Sequence, residues 1–411
     1  MKKTISSAQM LIINAYWVGL SFMWSALHPI ILPAVLLNFV SDAKKNTTLG
    51  LLTFAGLLIA MVVQPVFGAI SDGWGSRFGR RRPLMVIGTL FDFLFLSILA
   101  WGGGFIWLII GYIGLQFSSN TAQGSFQGLL PDRVPENRMG LAASLKTFLD
   151  TFGLILAALL AGRMMDPQTH NPTAIMFVVI GLLAVSASIT ILFTPEEPVH
   201  ERPAMDWRSI FAYLKFDPRK HPDYWWLTAE RASFLLGIYG VQAFGQYYIQ
   251  DVLRVPDPPK QMGNLLASIT AGVIVLVLIG GWLTDRFGAK KILYGASFLT
   301  AAGMILMLLT KDIRALAIFG SVVGAGIGLF LTSNWALANR LAPREEAGKF
   351  LGLTNLATAG SGALARLEGP VIDYLNAAWP QAWAGYKGLF IFGAICMLLS
   401  VTFLNKIKSS K

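Results

Sequence analysis

Gly68-Ala-Ile-Ser-Asp72, four residues, then Arg77-Phe-Gly79-Arg-Arg-Arg82 form a polar stretch between two long apolar runs. The same pattern returns as Gly281-Trp-Leu-Thr-Asp285-Arg286-Phe-Gly288-Ala-Lys-Lys291. In a chain of 411 residues the two copies divide the protein nearly in half. A second pair keeps almost the same offset: Arg133-Val-Pro135-Glu-Asn-Arg-Met-Gly140 corresponds to Arg340-Leu-Ala-Pro343-Arg-Glu-Glu-Ala-Gly348. Chance likeness between apolar helices does not bring polar loops into register, so the spacing points to an internal duplication.

Composition identifies the solvent. Charged residues make up 13% and hydrophobic residues 55%, against roughly 25% charged in soluble domains. The 41 glycines fall mostly inside apolar runs, which membrane helices tolerate. A net charge of +11 raises nucleic acid as a partner, but the cations are scattered over short loops and form no basic face with interleaved aromatics. Cys396, the single cysteine, lies in the last apolar run, which excludes a disulfide framework and a thiol metal site and leaves a packing role. Lys2 and Lys3 precede an apolar segment too long for a signal core and without a clear cleavage site, so it is expected to remain as the first span.

A spanning helix needs about 20 apolar residues. On that scale twelve spans are expected, at roughly 10–39, 47–71, 83–103, 105–130, 138–162, 173–193, 227–253, 262–284, 290–310, 313–338, 349–372 and 385–405. The expected architecture is an all-α membrane protein with an N-terminal six-helix bundle (1–193), a cytoplasmic linker (194–226) and a C-terminal six-helix bundle (227–411). The linker is rich in proline and charge and contains an amphipathic stretch, Trp207-Arg-Ser-Ile-Phe-Ala-Tyr-Leu214, suited to a membrane surface. Most Lys and Arg fall on the N-terminal side of the membrane, so the positive-inside rule places both termini in the cytoplasm, in a cell membrane.

Gly68 and Gly281 end the second and eighth spans, where a missing side chain lets helices approach closely. Asp72 and Asp285 follow at the membrane boundary, where a carboxylate can accept from the exposed N–H groups of a helix N-terminus, and the adjacent arginines can pair with carboxylates or lipid phosphates. Gly68, Asp72, Arg77, Gly79, Arg80 and Arg81, with Gly281, Asp285, Arg286 and Gly288, are therefore read as a cytoplasmic latch that breaks when that side opens. A plain topology signal is the alternative, but it requires cations only and not the Gly-x-x-x-Asp before them.

This repeated loop resembles the signature of the major facilitator superfamily, and with twelve spans in two halves the likeness covers essentially the whole chain. The stretch Val63-Gln-Pro65-Val-Phe-Gly68-Ala-Ile-Ser-Asp72-Gly-Trp-Gly-Ser-Arg77-Phe-Gly79-Arg-Arg-Arg-Pro83, with Asn120-x-x-Gln123-Gly124 and Asp132, is similar to the sucrose/proton symporters and their glycoside-transporter relatives. The resemblance implies alternating access, secondary active transport and often proton coupling. It also has gaps. Gln116 stands where plant sucrose carriers have an acid, Gln127 where they have an arginine, and residues 47–70 lack the paired aspartates of sodium-linked melibiose carriers.

Ionisable side chains in mid-span cost roughly 2.5–3.5 kcal/mol each, so each needs a reason. Lys146 and Asp150 are one helical turn apart on a common face. They form either an internal ion pair or a site where Asp150 alternates between pairing and carrying a proton. Asp92 is the third proton-coupling candidate, with a structural role in the third span as its alternative. In the fourth span Gln116, Asn120, Gln123 and Gln127 form one amide stripe. Trp24 and His28 in the first span and Tyr239, Gln242 and Gln246 in the seventh mix rings with hydrogen-bonding groups. A sugar needs that mixture, aromatic faces for its C–H surface and amides for its hydroxyls. Arg366 either pairs with Glu368 or meets an anionic solute, whereas Glu230 and Arg231 are expected near the cytoplasmic edge.

No nucleotide-binding loop is present, and the histidines at 28, 170, 200 and 221 are too scattered for a metal cluster. No cofactor and no enzymatic activity are expected. The leading reading is a monomeric, proton-coupled symporter of a sugar or glycoside. Its alternatives are an exporter or facilitator of another organic solute, drug-like or amphiphilic, and a non-transporting sensor on the same fold.

Overall fold

The computed structural model describes residues 5–197, 216–343 and 346–408. The amphipathic stretch at 207–214 and part of the loop before the eleventh span lie outside the described residues. Among the described residues twelve long helical segments follow one another: α1 (Ser7–Leu36), α2 (Lys45–Asp72), α3 (Arg82–Trp101), α4 (Phe105–Gln127), α5 (Met139–Leu160) and α6 (Thr173–Phe193) come first. After them come α7 (Pro222–Tyr248), α8 (Pro258–Phe287), α9 (Ala289–Leu309), α10 (Ile313–Leu341), α11 (Ala347–Arg366, continued past Leu367 by Glu368–Ala378) and α12 (Ala384–Asn405).

Helix starts follow local chemistry. Ser6 and Gln9 form a reciprocal capping box at α1, Pro222 occupies the first position of α7, and the Asp257 and Asp312 side chains accept backbone N–H bonds at the starts of α8 and α10. Two helices carry a π-helical turn, Leu27–Ile31 in α1 and Ile249–Leu253 after α7. Pro29 lies inside the first of these, where its ring removes a backbone donor. Such turns widen the helix locally and re-aim the side chains they carry, here His28 and Asp251.

Among the described residues nine of the helices are long and apolar enough to cross a bilayer. The exceptions are α4, α7 and α11. Their length suits a span, so their polarity means that part of their surface faces something other than lipid. The apolar helices show the opposite: Leu278, Leu309, Phe148 and Phe177 are exposed, as lipid-facing side chains are.

The described chain divides into two compact units, one from Met1–Phe39 and Ala55–Asp206, the other from Val40–Phe54 and Trp207–Lys411. The first turns of α2 thus belong to the second unit and the rest to the first. Close helix approach is built on glycine in both. A Cβ on Gly124 of α4 would sit 2.3 Å from Gln64 O of α2, and one on Gly324 of α10 would sit 2.0 Å from Ile269 O of α8.

Candidate functional site

In the first unit the candidate residues gather around a tyrosine that composition and spacing did not single out. Tyr112, fully buried on α4, has its hydroxyl 3.0 Å from His28 Nε2 and accepts from Gln116 Nε2 at 2.7 Å. Gln116 Nε2 also lies 3.3 Å from His28 Nε2, and Asn120 Nδ2 donates to Gln116 O at 2.7 Å and to Gln116 Oε1 at 3.2 Å. Trp24 stacks on the His28 ring, with centroids 4.9 Å apart and 19° between planes. The site therefore comprises an aromatic pair from α1 and a connected row of amide and phenol groups from α4. Such a row offers donors and acceptors at fixed positions beside apolar ring faces.

The amide stripe does not share one environment. Gln123 accepts from Gln64 Nε2 of α2 at 2.6 Å, and Gln127 is exposed. Asp92 is wholly buried where α3 meets α4 and accepts from Ser118 Oγ, while its Oδ2 has no partner among the described residues. Lys146 and Asp150 feel each other's charge, but no ion pair of the described residues joins them. Lys146 Nζ instead lies 4.1 Å from the centroid of the Trp17 ring, and Asp150 interacts with Ser21. Both side chains thus reach across to α1 rather than along α5.

The repeated loop is organised differently in its two copies. In the first, Asp132 accepts from Arg81 Nε at 2.9 Å and from Arg80 Nε at 3.2 Å, and Asp72 pairs with the Arg81 guanidinium. Glu196 accepts from the backbone N–H of Arg81 at 2.9 Å and of Arg82 at 3.0 Å, capping α3. Arg81 is buried. Burial draws its guanidinium down, but the hydrogen bond and charge of Asp132, then the charge of Asp72, outweigh it and leave it above the ordinary arginine value. Gly68 lies against Gly124, and Arg77 lies 4.6 Å from the centroid of the Phe78 ring. In the second copy Arg286 lies 5.2 Å from the Trp282 ring and 5.6 Å from the Phe287 ring, and Asp285 has no ion pair among the described residues. A Cβ on Gly281 would meet nothing within 4 Å. Both loops need glycine for backbone reasons, with φ of 94° at Gly79 and 87° at Gly288.

In the second unit buried polar groups join α7 to α10 and α11. Glu230 and Arg231 lie eight and nine residues into α7, which starts at Pro222, so they are buried and not at a helix edge. Asn334 of α10 bridges them: its Nδ2 donates to Glu230 Oε2 at 2.7 Å and its Oδ1 accepts from Arg231 Nη1 at 2.6 Å. Arg231 Nε donates to Thr358 Oγ1 at 2.9 Å, and its guanidinium lies 5.4 Å from the Trp335 ring. Further along α7, Tyr239 O accepts from Arg366 Nη1 at 2.9 Å, Gln242 is half-buried and Gln246 is buried.

A further network surrounds Lys45 at the start of α2. Its Nζ lies 2.7 Å from Asp251 Oδ1, and Asp251 Oδ2 accepts from Tyr386 OH at 2.8 Å. Asn46 Nδ2 donates to Asp373 Oδ1 at 2.8 Å and to Tyr386 OH at 3.1 Å, and Thr47 N donates to Asp373 Oδ2 at 2.7 Å. Its sequence signal was weak: a loop lysine, two loop-edge aspartates and a tyrosine from three distant segments. The described residues hold no group of three or more His, Cys, Asp and Glu arranged for a metal ion.

The model of the Major Facilitator Superfamily matches residues 9–366 and 257–407. The multi-drug resistance efflux pump PmrA of Streptococcus pneumoniae serotype 4 is 20% identical over 375 residues, covering 85% of this chain and 85% of the pump. The arabinose-proton symporter of Bacillus subtilis is 35% identical over 100 residues, 24% of this chain and 22% of the symporter. Among solved structures, the POT family transporter PepTSo superposes with a TM-score of 0.78 at 11% identity over 99% of each chain. The nucleoside transporter NupG gives 0.76 at 13% identity, over 98% of this chain and 100% of the other. These two likenesses show the fold alone. With twelve long helices among the described residues, polar α4, α7 and α11 among apolar neighbours, and a family match over most of its length, the chain belongs to the Major Facilitator Superfamily and is a multi-pass membrane transporter of a small-molecule solute, not an enzyme.

Proposed function

We propose that this transporter works by alternating access as a secondary active, proton-coupled symporter of a sugar or glycoside, with both termini in the cytoplasm. The observation that carries the reading is the Trp24–His28–Tyr112–Gln116–Asn120 cluster, stacked rings beside a connected run of hydroxyl, imidazole and amide groups. Hydrogen-bonding groups next to ring faces match a polyhydroxylated ring better than they match a purely apolar solute. Proton linkage is assigned to Asp150, with Lys146 as its charge partner, because an ionisable group in mid-span is costly and marks a functional site. Asp92 is a second candidate. In the same reading the Asp72–Arg81–Asp132 cluster, with its less paired copy at Asp285–Arg286, acts as the cytoplasmic latch.

A second reading is export of a drug-like or amphiphilic solute. The multidrug relatives favour it, since they align over most of the chain whereas the arabinose-proton symporter aligns over 24% of it. Uptake of a labelled sugar panel into proteoliposomes, with and without an imposed pH gradient, separates the two. Sugar accumulation that requires an inward proton gradient supports symport. Flux of no sugar, with gradient-driven movement of a cationic dye, replaces it with the export reading.

A further inference from the structure

The second unit holds a carboxyl group that the reading above does not use. Glu368 begins the second part of α11, directly after the interruption at Leu367. Both of its carboxyl oxygens are shut away from solvent and neither has a hydrogen-bond partner among the described residues. The carboxyl packs on the backbone of α7 at Gly240, where an added Cβ would sit 2.1 Å from Oε2, so only glycine leaves room for it. Arg366 on α11 itself acts on it through charge, the charge of Glu368 reaches Cys396 on α12, and Tyr239, beside Gly240 on α7, feels Arg366.

Arg366 is the natural counter-ion, two residues away, yet no ion pair of the described residues joins the two. Its Nη1 donates instead to the Tyr239 carbonyl at 2.9 Å. An ionised carboxylate stripped of water, hydrogen bonds and an ion pair is among the costliest buried groups, whereas the neutral acid is far cheaper. Glu368 also stands on a helix interruption, where a small backbone change redirects a side chain.

We propose that Glu368 is a proton-binding site of the second unit, held as the neutral acid while Arg366 is engaged at the Tyr239 carbonyl and ionised when Arg366 moves to it. The site is distinct from Asp150, Lys146 and Asp92, which all belong to the first unit. Proton arrival and departure at Glu368 thereby select which partner Arg366 holds, and with it the join between the two parts of α11.

Carbodiimide labelling of the full-length protein in lipid vesicles tests this with no solute present. Dicyclohexylcarbodiimide reacts with a carboxyl that carries its proton. The acid's proton passes to a carbodiimide nitrogen, its oxygen bonds to the central carbon, and an acyl shift from oxygen to nitrogen leaves a stable N-acylurea without change of oxidation state. Peptide mass spectrometry is expected to find this adduct at Glu368 in mildly acidic buffer, falling about tenfold per pH unit above the midpoint, as for a single titrating group. Glu368→Gln removes the adduct, and Arg366→Ala, which takes away the cation favouring the ionised form, moves the midpoint upward. No adduct at any pH, or an adduct that sodium ions suppress at constant pH, overturns the proton site. A midpoint that Arg366→Ala leaves unmoved overturns the exchange of partners. Sugar uptake is read separately, so its failure leaves the labelling result standing and the reverse also holds.

Discussion

Lys45 Nζ lies 2.7 Å from Asp251 Oδ1 although the two residues are separated by 206 positions, and the lysine side chain is only 2% exposed. Tyr386 occupies the other oxygen of Asp251, so the ammonium and phenol together satisfy one largely buried carboxylate. Removing the cation leaves that charge in a site with little access to water, since the Asp251 side chain is 12% exposed. Lys45→Met is expected to cost about 3–5 kcal/mol, the range for breaking a buried pair. The measurement is the thermal unfolding midpoint of the purified protein, and Lys45→Met combined with Asp251→Asn should recover part of the loss. An unchanged midpoint in the single variant would show that the pair holds nothing together.

Gly79 and Gly288 occupy equivalent loop positions with similar positive φ, but their surroundings differ. A Cβ at Gly79 would stand 2.5 Å from Glu196 Cδ, whereas at Gly288 it would meet nothing within 4 Å. Each alanine substitution carries backbone strain of about 1–2 kcal/mol. Gly79→Ala must additionally push Glu196 off the start of α3, so it should lower the unfolding midpoint further than Gly288→Ala. Equal effects would mean that the Glu196 contact is dispensable.

The loop between α5 and α6 is expected to loosen in acid. The backbone N–H groups of Thr169 and then Gln168 hold the Asp166 carboxyl below its usual 3.8. Desolvation by burial, partly offset by Asp166, holds the His170 imidazole below its usual 6.5. Both folded values are depressed, so each contribution is complete above the ordinary value and is lost as pH falls through the folded one. His170 is therefore lost first, below 6.5, and Asp166 only below 3.8. Amide hydrogen exchange over 161–172, corrected for intrinsic rates, should rise in those two stages, and Asp166→Asn should abolish the second.

Tyr112→Phe keeps the buried ring and deletes the hydroxyl shared by His28 and Gln116. Two polar groups then lose a partner, at about 1 kcal/mol each, which corresponds to roughly a thirtyfold weaker hold on a solute that uses them. Half-saturation of uptake measures it directly. If it does not move, the cluster lies off the path of the solute.

Asp150→Asn is expected to retain solute exchange while losing accumulation driven by a proton gradient, because an amide keeps the shape and cannot ionise. Paired exchange and accumulation assays in the same vesicles check this. Undiminished accumulation would remove Asp150 from the coupling role.

Elements were more legible in the chain than the partners of their side chains. The lengths of α4, α7 and α11 were readable as spans, and the polarity that sets them apart is visible in Gln116, Asn120, Tyr239 and Arg366. Lys146 and Asp150 stand one turn apart, which suggests a pair along α5, but Trp17 and Ser21 of α1 lie close enough to compete for them. The apolar run begins near 227 and so places Glu230 at an edge; the helix starts earlier, at Pro222, whose locked φ suits a first helical position.

The sequence by itself determined the solvent, the two-fold internal repeat and the helical spans, since each depends on composition or on spacing within about 20 residues. It also determined the glycines at 79 and 288, whose φ only glycine adopts without strain. Tertiary structure alone decided that Lys45 faces Asp251, that Asn334 joins Glu230 to Arg231, and that Arg366 turns to Tyr239 while Glu368 rests on Gly240. Hydrogen bonds and buried charge pairs act over about 3 Å, between residues that only helix packing can bring that close.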